Sequence, residues 1–324
     1  MTEGHSPVLL GSVISAIAPR DGATYVDGTF GGGGYARAIL ERANCFLIGI
    51  DQDPSAVSRA RSWCKQYGDR LILLEGRFGD MTRLLAERGI TTVSGITLDL
   101  GVSSYQLDNP NRGFSFQFDG PLDMRMAQGG TSAKDVINEY PENELADIFH
   151  KYGEERKAKR IAKVIVAARS RKAITRTHEL AEIIRNCLPP NQKRRKSNRL
   201  DPATRTFQAL RIYVNDELGE LERGLTAAEG LLTAGGSLAV VSFHSLEDRI
   251  VKNFFKNKGG LSAQTSRHYP PQENKLAPTF KIISRRPIRP NTKETDNNPR
   301  ARSARLRVAR RTEALLEKME FSND

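Results

Sequence analysis

Four short apolar runs, each closing on an acidic residue or a glycine loop, punctuate the first hundred residues. They are YVDGTF from Tyr25 to Phe30, FLIGID from Phe46 to Asp51, LILLEG from Leu71 to Gly76 and GITLDL from Gly95 to Leu100. Apolar runs of this length, bounded by turn residues, read as buried strands. Between them lie amphipathic stretches from Ala36 to Ala43 and from Asp53 to Tyr67. In the second, Asp53-Pro54 supplies a helix cap followed by proline at the first helical position. Strand and helix in strict alternation predict an α/β fold built on a mostly parallel sheet with helices on both faces.

The rhythm breaks after Gly101. From Asp108 to Arg205 the pattern predicts helices instead, at Glu142 to Lys151, Glu154 to Ser170 and His178 to Cys187. In the second of these, Ile161, Val164, Ile165 and Ala168 form one apolar stripe, and Lys157, Lys159, Arg160 and Lys163 lie mostly away from it. The α/β rhythm resumes with a helix from Thr206 to Leu232, a Gly235-Gly236 turn and the run SLAVVSF from Ser237 to Phe243. FKIIS at Phe280 to Ser284 and ARLRVARR at Ala304 to Arg311 can add an antiparallel pair at the sheet end, for seven strands in all. The expected organisation is a sheet domain in two pieces, residues 1–107 and 206–324, interrupted by an inserted helical domain at 108–205.

Charge marks the same insertion. The chain of 324 residues carries a net charge of +12, with 38% hydrophobic and 27% charged residues, a composition of folded rather than disordered chains. From Lys151 to Arg205 there are 17 Lys and Arg against 5 Asp and Glu, and from Lys281 to Arg311 there are 11 against 2. A basic excess confined to segments is the electrostatic footprint of a polyanion-binding protein, a solvated helix face being the plainer reading. The loop from Pro189 to Pro202, with Lys193, Arg194, Arg195 and Lys196 in succession, belongs to that footprint. Cys45, Cys64 and Cys187 are odd in number and lack CxxC spacing, which suggests neither a disulfide framework nor a zinc site. The five histidines show no metal-ligand spacing, so no metal is expected. With no secretory signal and no run of membrane-spanning length, a cytoplasmic protein without membrane contact is expected.

The densest chemical signal is DGTFGGGG, Asp27 to Gly34, at the carboxyl end of the first strand. Glycines there permit positive φ and let backbone amides approach a ligand. Asp51 follows 24 residues after Asp27 at the end of the second strand, where a carboxylate can accept from both ribose hydroxyls of a nucleoside. Gly31, Gly33 and Ala36 also satisfy the loose G-x-G-x-x-G/A pattern of nicotinamide-dinucleotide enzymes. Two residues favour S-adenosyl-L-methionine over a dinucleotide. Asp27 ends its strand where it can face a positively charged donor amine, and Asp99 ends the fourth strand, where substrate and methyl group would meet. A tight turn for the glycines and helix caps for Asp51 and Asp99 are the plainer alternatives.

Three other motifs stay open on the residues alone. SFHSLEDR, Ser242 to Arg249, sits at the end of the fifth strand, where His244 either positions a substrate base or bonds within its own loop. Its Ser, His and Asp invite a hydrolase reading, but no GxSxG elbow accompanies them. Asn215 either reaches a substrate pocket or makes a packing hydrogen bond. Phe114, Phe116 and Phe118 alternate, as a stacking surface for an extruded base or as core.

HSPVLL at His5, YVDGTFGGGGY at Tyr25, LDLGVSSYQLD at Leu98, RGFSFQFDGPLDMRM at Arg112, YGEER at Tyr152, PATRTFQALRIYVNDEL at Pro202, SFHSLEDRIVK at Ser242 and NPRARSARLRVA at Asn298 occur in this order over nearly the whole chain. The series resembles the RsmH/MraW family. That resemblance implies a class I, Rossmann-like methyltransferase fold with an inserted helical domain, and S-adenosyl-L-methionine as cofactor. It further implies N4-methylation of one cytidine in the decoding region of 16S rRNA, with a small-subunit ribosomal particle as partner; a homodimer is compatible with it. Carried over by position, the cofactor contacts are Gly33, Gly34, Tyr35, Asp51, Phe78, Asp99 and Gln106. The family commonly has histidine where Tyr35 stands and proline where Tyr105 stands, so no imidazole role is available at position 35. Where many amino-methyltransferases carry a DPPY-like motif after the fourth strand, this chain reads DLGVSSYQ, and Asp99 or a neighbouring backbone carbonyl is the expected acceptor for the substrate amine. An amino-methyltransferase acting on DNA cytosine or on adenine N6 is the main competing reading, ahead of a nicotinamide-dependent oxidoreductase and of a non-enzymatic RNA-binding module.

Overall fold

The computed structural model describes residues 7–127, 129–187, 201–260 and 277–316, which form two compact units. One comprises the chain up to Gly101 together with Leu218 onward; the other runs from Val102 to Glu217.

The first unit is the sheet. Its strands are β1 (Thr24–Asp27), β2 (Phe46–Asp51), β3 (Leu71–Glu75), β4 (Val93–Asp99), β5 (Leu232–Ser242), β6 (Phe280–Ile282) and β7 (Arg305–Arg311), in the order β3-β2-β1-β4-β5-β7-β6. β1 to β5 pair in parallel, and β7 runs antiparallel to both β5 and β6. The seven-stranded, mostly parallel sheet expected from the sequence is present, with the antiparallel pair at its end. Helices α1 (Leu10–Ile17), α2 (Gly34–Arg42), α3 (Pro54–Cys64) and α4 (Met81–Ala86) belong to its first piece. The Asp53 carboxylate caps α3 by accepting from Ser55 N at 3.0 Å, with Pro54 in the first turn. Apolar side chains fill both faces: Val26, Ile48, Ile96, Leu221, Leu225 and Val251 on one, Tyr25, Ile39, Leu47, Leu306 and Val308 on the other.

The second unit contains α5 (Ser104–Asp108), α6 (Ala133–Glu139), α7 (Glu142–Gly153), α8 (Ala158–Arg169), α9 (Thr177–Cys187) and α10 (Thr204–Asn215). Its core is apolar, built from Leu145, Phe149, Ile161, Ile165, Leu180 and Leu210 among others. The boundaries differ from 108 and 205. Phe207, Ala209 and Leu210 lie in this core, so α10 belongs to the helical unit and not to the sheet. The single helix expected from Thr206 to Leu232 is accordingly two. Asp216 adopts φ 51°, ψ 41° and ends α10, and α11 (Glu217–Leu231) then turns Leu221, Leu225 and Ala228 into the sheet core. The Gly235-Gly236 pair is no turn either. It lies inside β5, where Gly235 takes φ 80° and the pairing with β4 shifts register between Val93 and Gly95. α12 (Ser245–Lys258) and α13 (Thr292–Asn297) complete the described helices of the sheet unit. No helix among the described residues is long and apolar enough to cross a membrane.

Candidate cofactor site at the strand ends

From β1 the chain proceeds outward through β2 and β3, then returns to place β4 on β1's other side. Strand order reverses between β1 and β4, and in open α/β sheets ligands bind outside the carboxyl ends of the strands at that reversal. Asp27 is the last residue of β1 and Asp99 the last of β4, with Asp51 ending the neighbouring β2. The three acidic strand ends read from the sequence therefore flank the crevice.

The glycine loop is laced to these strands. Gly28 N donates to Thr97 O at 3.0 Å and Phe30 N to Ile50 O at 2.9 Å. Gly31 N donates to Asp51 Oδ2 at 2.7 Å, and Asp99 N to the Thr29 hydroxyl at 2.6 Å. Gly33 caps α2 at φ 74°, a left-handed conformation that suits glycine, and a Cβ there would stand 2.3 Å from Trp63 Cζ2. Trp63 stacks on Phe30 at 5.7 Å with an 8° interplanar angle, and Arg37 covers its ring at 3.9 Å. At Gly34 a Cβ would meet Pro7 Cγ at 2.1 Å. The glycines are thus demanded by close packing as well as by the loop's turn.

Burial dominates the electrostatics. Asp27 is 1% exposed, and desolvation drives its pKa from 3.8 to about 7 against hydrogen bonds from the Thr29 and Ala36 amides and the Thr97 side chain. Desolvation, then the charges of Asp27 and Glu247, pushes Asp99 well above the usual carboxylate range. Burial also raises Asp51, although it accepts from Gly31 N and, at 2.8 Å, from Asp53 N. Asp99 Oδ1 is buried and has no hydrogen-bond partner among the described residues. An unpaired buried carboxylate is costly and calls for a donor or a cation.

These residues fit S-adenosyl-L-methionine. Its sulfonium and ammonium charges would relieve the acid cluster, whereas a dinucleotide pyrophosphate would add negative charge to it. Asp51 retains lone pairs for a ribose because each carboxylate oxygen accepts more than one bond. Phe78 follows β3 with its ring against Gly224 of α11, where a Cβ would lie 2.4 Å away. Tyr35 is 3% exposed and its hydroxyl donates to Val8 O, so the side chain joins the core. Burial first, then the Asp99 and Asp27 charges, raises its pKa and keeps the phenol neutral. In the first turn of α2 its backbone N–H remains the group suited to a ligand.

The other expected residues have placements of their own. His244 is the N-cap of α12: Nδ1 accepts from Glu247 N at 3.4 Å, and Glu247 Oε2 accepts from Phe243 N at 2.8 Å. Ser242 donates to Arg305 O and Asp248 pairs with Arg305 and Arg307, so the Ser, His and Asp of this motif do not form a relay. In the helical unit, Gln106 Oε1 accepts from Ser103 N at 2.9 Å and closes the capping box of α5. Asn215, 3% exposed, accepts from Met126 N at 2.7 Å and donates to Met124 O and Arg211 O at 2.8 Å. Its amide clamps the 124–126 segment. Phe114 is in the core and Phe116 packs on Phe207 at 4.8 Å, leaving Phe118 exposed. On α8 Lys159, Arg160 and Lys163 are exposed with Arg156 and Lys157 just before it, whereas Lys193 to Lys196 lie outside the described residues.

Sequence reasoning missed Glu220. It is 2% exposed, accepts from Gly79 N at 2.6 Å and pairs with Arg77 and Arg223, holding the turn that carries Phe78. Thr29 and Trp63 were missed as well. The lone tryptophan of the chain, ten residues into α3, was the available signal for a large partner to the glycine loop.

A model of the MraW methylase family matches residues 2–312. The chain belongs to that family. As a member it is a methylase, and S-adenosyl-L-methionine is its methyl donor, which sets the nicotinamide reading aside. It is 56% identical over 311 residues to the ribosomal RNA small subunit methyltransferase H of Paramagnetospirillum magneticum, covering 96% of each chain. The protein of the same name from Rhodospirillum centenum is 56% identical over 310 residues, covering 96% of this chain and 93% of that one. Among solved structures, a putative rRNA-methylase from Clostridium thermocellum aligns over 95% of this chain and 98% of that one, at 12% identity and a TM-score of 0.43. The family match rests on none of that looser likeness.

Proposed function

We propose that this methylase acts in the cytoplasm on 16S rRNA of a small-subunit ribosomal particle, and transfers its methyl group to the exocyclic N4 of one cytidine in the decoding region. The observation that carries the reading is the buried, unpartnered Asp99 Oδ1 at the end of β4, beside the acid-lined glycine loop. The relatives' shared name supports ribosomal RNA of the small subunit as substrate.

The amine of cytosine is a poor nucleophile because its lone pair is delocalised into the ring. The protein must hold the nitrogen in line with the methyl group and accept its N–H hydrogens as it pyramidalises. When bound, S-adenosyl-L-methionine supplies an electrophilic methyl on a cationic sulfur. Asp27 and Asp51 orient the donor, while the glycine loop and the first turn of α2 approach it with backbone alone. Asp99 Oδ1, which would be ionised beside a bound donor's positive charge, accepts from the amine. The proton then passes from the already cationic methylated nitrogen to the Asp99 carboxylate and on to water, so no strong base is needed. The exposed cations of α8 contribute to holding the RNA backbone.

The test is methyl transfer from labelled donor to small-subunit particles lacking the modification, with the product nucleoside identified by mass and retention. N4-methylcytidine from the decoding region is expected. Methyladenosine, or label in DNA, would move the substrate to another nucleic-acid amine. In the same assay Asp99→Ala should lower turnover by about 10²–10³-fold, the scale of losing one preorganised acceptor. Near-normal turnover by that variant would remove Asp99 from the chemistry.

A further inference from the structure

The arginines of β7 divide by face. Arg307 and Arg311 point inward and are matched: Arg307 pairs with Asp248 at 2.7 Å, and Arg311 donates to Glu229 O and Thr279 O at 3.1 and 3.2 Å. Arg310 alternates to the other face and is exposed. Directly opposite it in the antiparallel register stands Lys281 of β6, also exposed. Like charges facing each other across a strand pair destabilise it unless something neutralises them. Neither has an ion-pair partner among the described residues, and the same holds for Arg285, Arg286 and Arg289 further along that edge.

The edge is also continuous. Beyond β6, Ile283 N donates to Val308 O at 3.1 Å, and Ile288 and Leu306 exchange both backbone bonds at 2.9 Å. The segment therefore tracks β7 from Arg310 down to Leu306, roughly 14 Å at the antiparallel rise. Ile283 and Ile288 are 49% and 38% exposed along it, among these cations.

We infer that this β6 edge of the sheet unit is a second RNA-backbone contact, separate in sequence from the basic helical unit. The inference rests on ribosomal RNA being the substrate. A polyanion supplies a counter-charge for Lys281 and Arg310 that the described residues do not, and an RNA backbone carries one phosphate charge per nucleotide, enough to engage the whole row. A second copy of the chain fits this edge poorly, because two-fold pairing would bring the cation row against itself. The competing explanation is edge protection, in which charges merely block strand addition.

The two ideas separate in binding of the full chain to small-subunit particles lacking the modification, measured from 50 to 200 mM salt alongside methyl transfer to the same particles by the wild type. Lys281→Ser/Arg310→Ser and Arg285→Ser/Arg286→Ser are compared singly and combined. The combined variant should flatten the slope of log affinity against log salt by about 3, at 0.7–0.9 for each lost phosphate contact. Each pair should remove about half of that, with S-adenosylhomocysteine affinity unchanged and the melting temperature not lowered, Lys281→Ser/Arg310→Ser relieving a like-charge pair. The charge-keeping Lys281→Arg/Arg310→Lys variant should retain the full slope. An unchanged slope in the Ser variants, with or without new aggregation, overturns the inference while leaving the substrate reading intact. Edge-dependent binding to anionic lipid vesicles in place of RNA overturns it too. If the wild type neither binds nor methylates these particles, the substrate reading has failed and this contact falls with it.

Discussion

The two units handle charge in opposite ways. In the sheet unit the telling charges are inside: Asp27 and Asp99 are driven toward protonation by burial, and Asp51 shares that environment. In the helical unit the core is apolar and, the buried Glu155 apart, the charges named here lie outside, with Glu142, Glu144 and Asp147 exposed on α7 and Lys159, Arg160 and Lys163 exposed on α8. Buried, underpaired acids lower stability and persist where a small cationic ligand completes them. Exposed, unburied cations are cheap to keep and act at long range on a large anionic partner. The first arrangement suits a unit that a cationic cofactor completes, the second a surface that meets a polyanion.

The largest expected effect lies in the first half of that contrast. The Asp27 carboxyl goes from 3.8 to about 7 on folding, so the folded state favours the protonated form. The stabilisation is fully present below about pH 4 and disappears as pH rises through 7, a difference of about 4 kcal/mol at 1.36 kcal/mol per unit. Asp27→Asn mimics the protonated group. Urea unfolding of the ligand-free proteins should show the variant gaining on wild type by about 4 kcal/mol between pH 4 and 8. Added S-adenosyl-L-methionine should return the carboxyl to its ionised form, which calorimetry in buffers of different ionisation heat would register as proton release. A pH-independent difference would mean that Asp27 is ionised when empty, and the contrast between the units would collapse.

Asn215 tests the second half. Truncation to Ala strands Met126 N–H and Met124 C=O in the interior, each worth about 1–3 kcal/mol. A loss of about 3 kcal/mol is expected, with hydrogen exchange accelerated in the helical unit and cofactor affinity unchanged. If Asn215→Ala is stable but inactive, the amide serves the substrate rather than the packing.

What was legible follows from what each residue answers to locally. The strands of the sheet could be read because both faces are covered, which turns them into apolar runs that hardly depend on context; Val26, Ile48 and Ile96 are essentially fully buried. The acidic strand ends could be read because a parallel sheet fixes where ligands go. The break at Asp216 could not. Phe207, Leu210, Leu221 and Leu225 continue one helical periodicity, and only tertiary structure reveals that they serve two cores. Nor was Glu220 visible, since its partner Gly79 lies 141 residues away. The Gly235-Gly236 pair misled because a bulge and a turn make the same demand on φ.

A smaller effect is expected from the outer face of α8. Lys159→Ala/Arg160→Ala/Lys163→Ala touches exposed side chains only, so melting temperature should move by less than about 2 °C. Affinity for rRNA should fall about tenfold at physiological salt, with the salt slope reduced by about 2. A variant that binds normally would return this face to the solvated-surface reading and leave the β6 edge as the unit-specific RNA contact to pursue.

His244 carries the smallest expected effect and the sharpest choice. Its imidazole closes one end of the α12 capping box, and its partner Glu247 bonds the Phe243 and His244 amides in return. His244→Ala should therefore cost about 1 kcal/mol, the usual loss for an N-cap, with turnover at low temperature nearly intact. His244→Asn, which can still accept from Glu247 N, should recover most of that stability. Recovery of stability together with a persistent loss of turnover would place the imidazole at the substrate. Because Glu247 is also a charge that raises Asp99, a displaced Glu247 would show up differently, as a shifted pH profile in the Ala variant that the Asn variant restores.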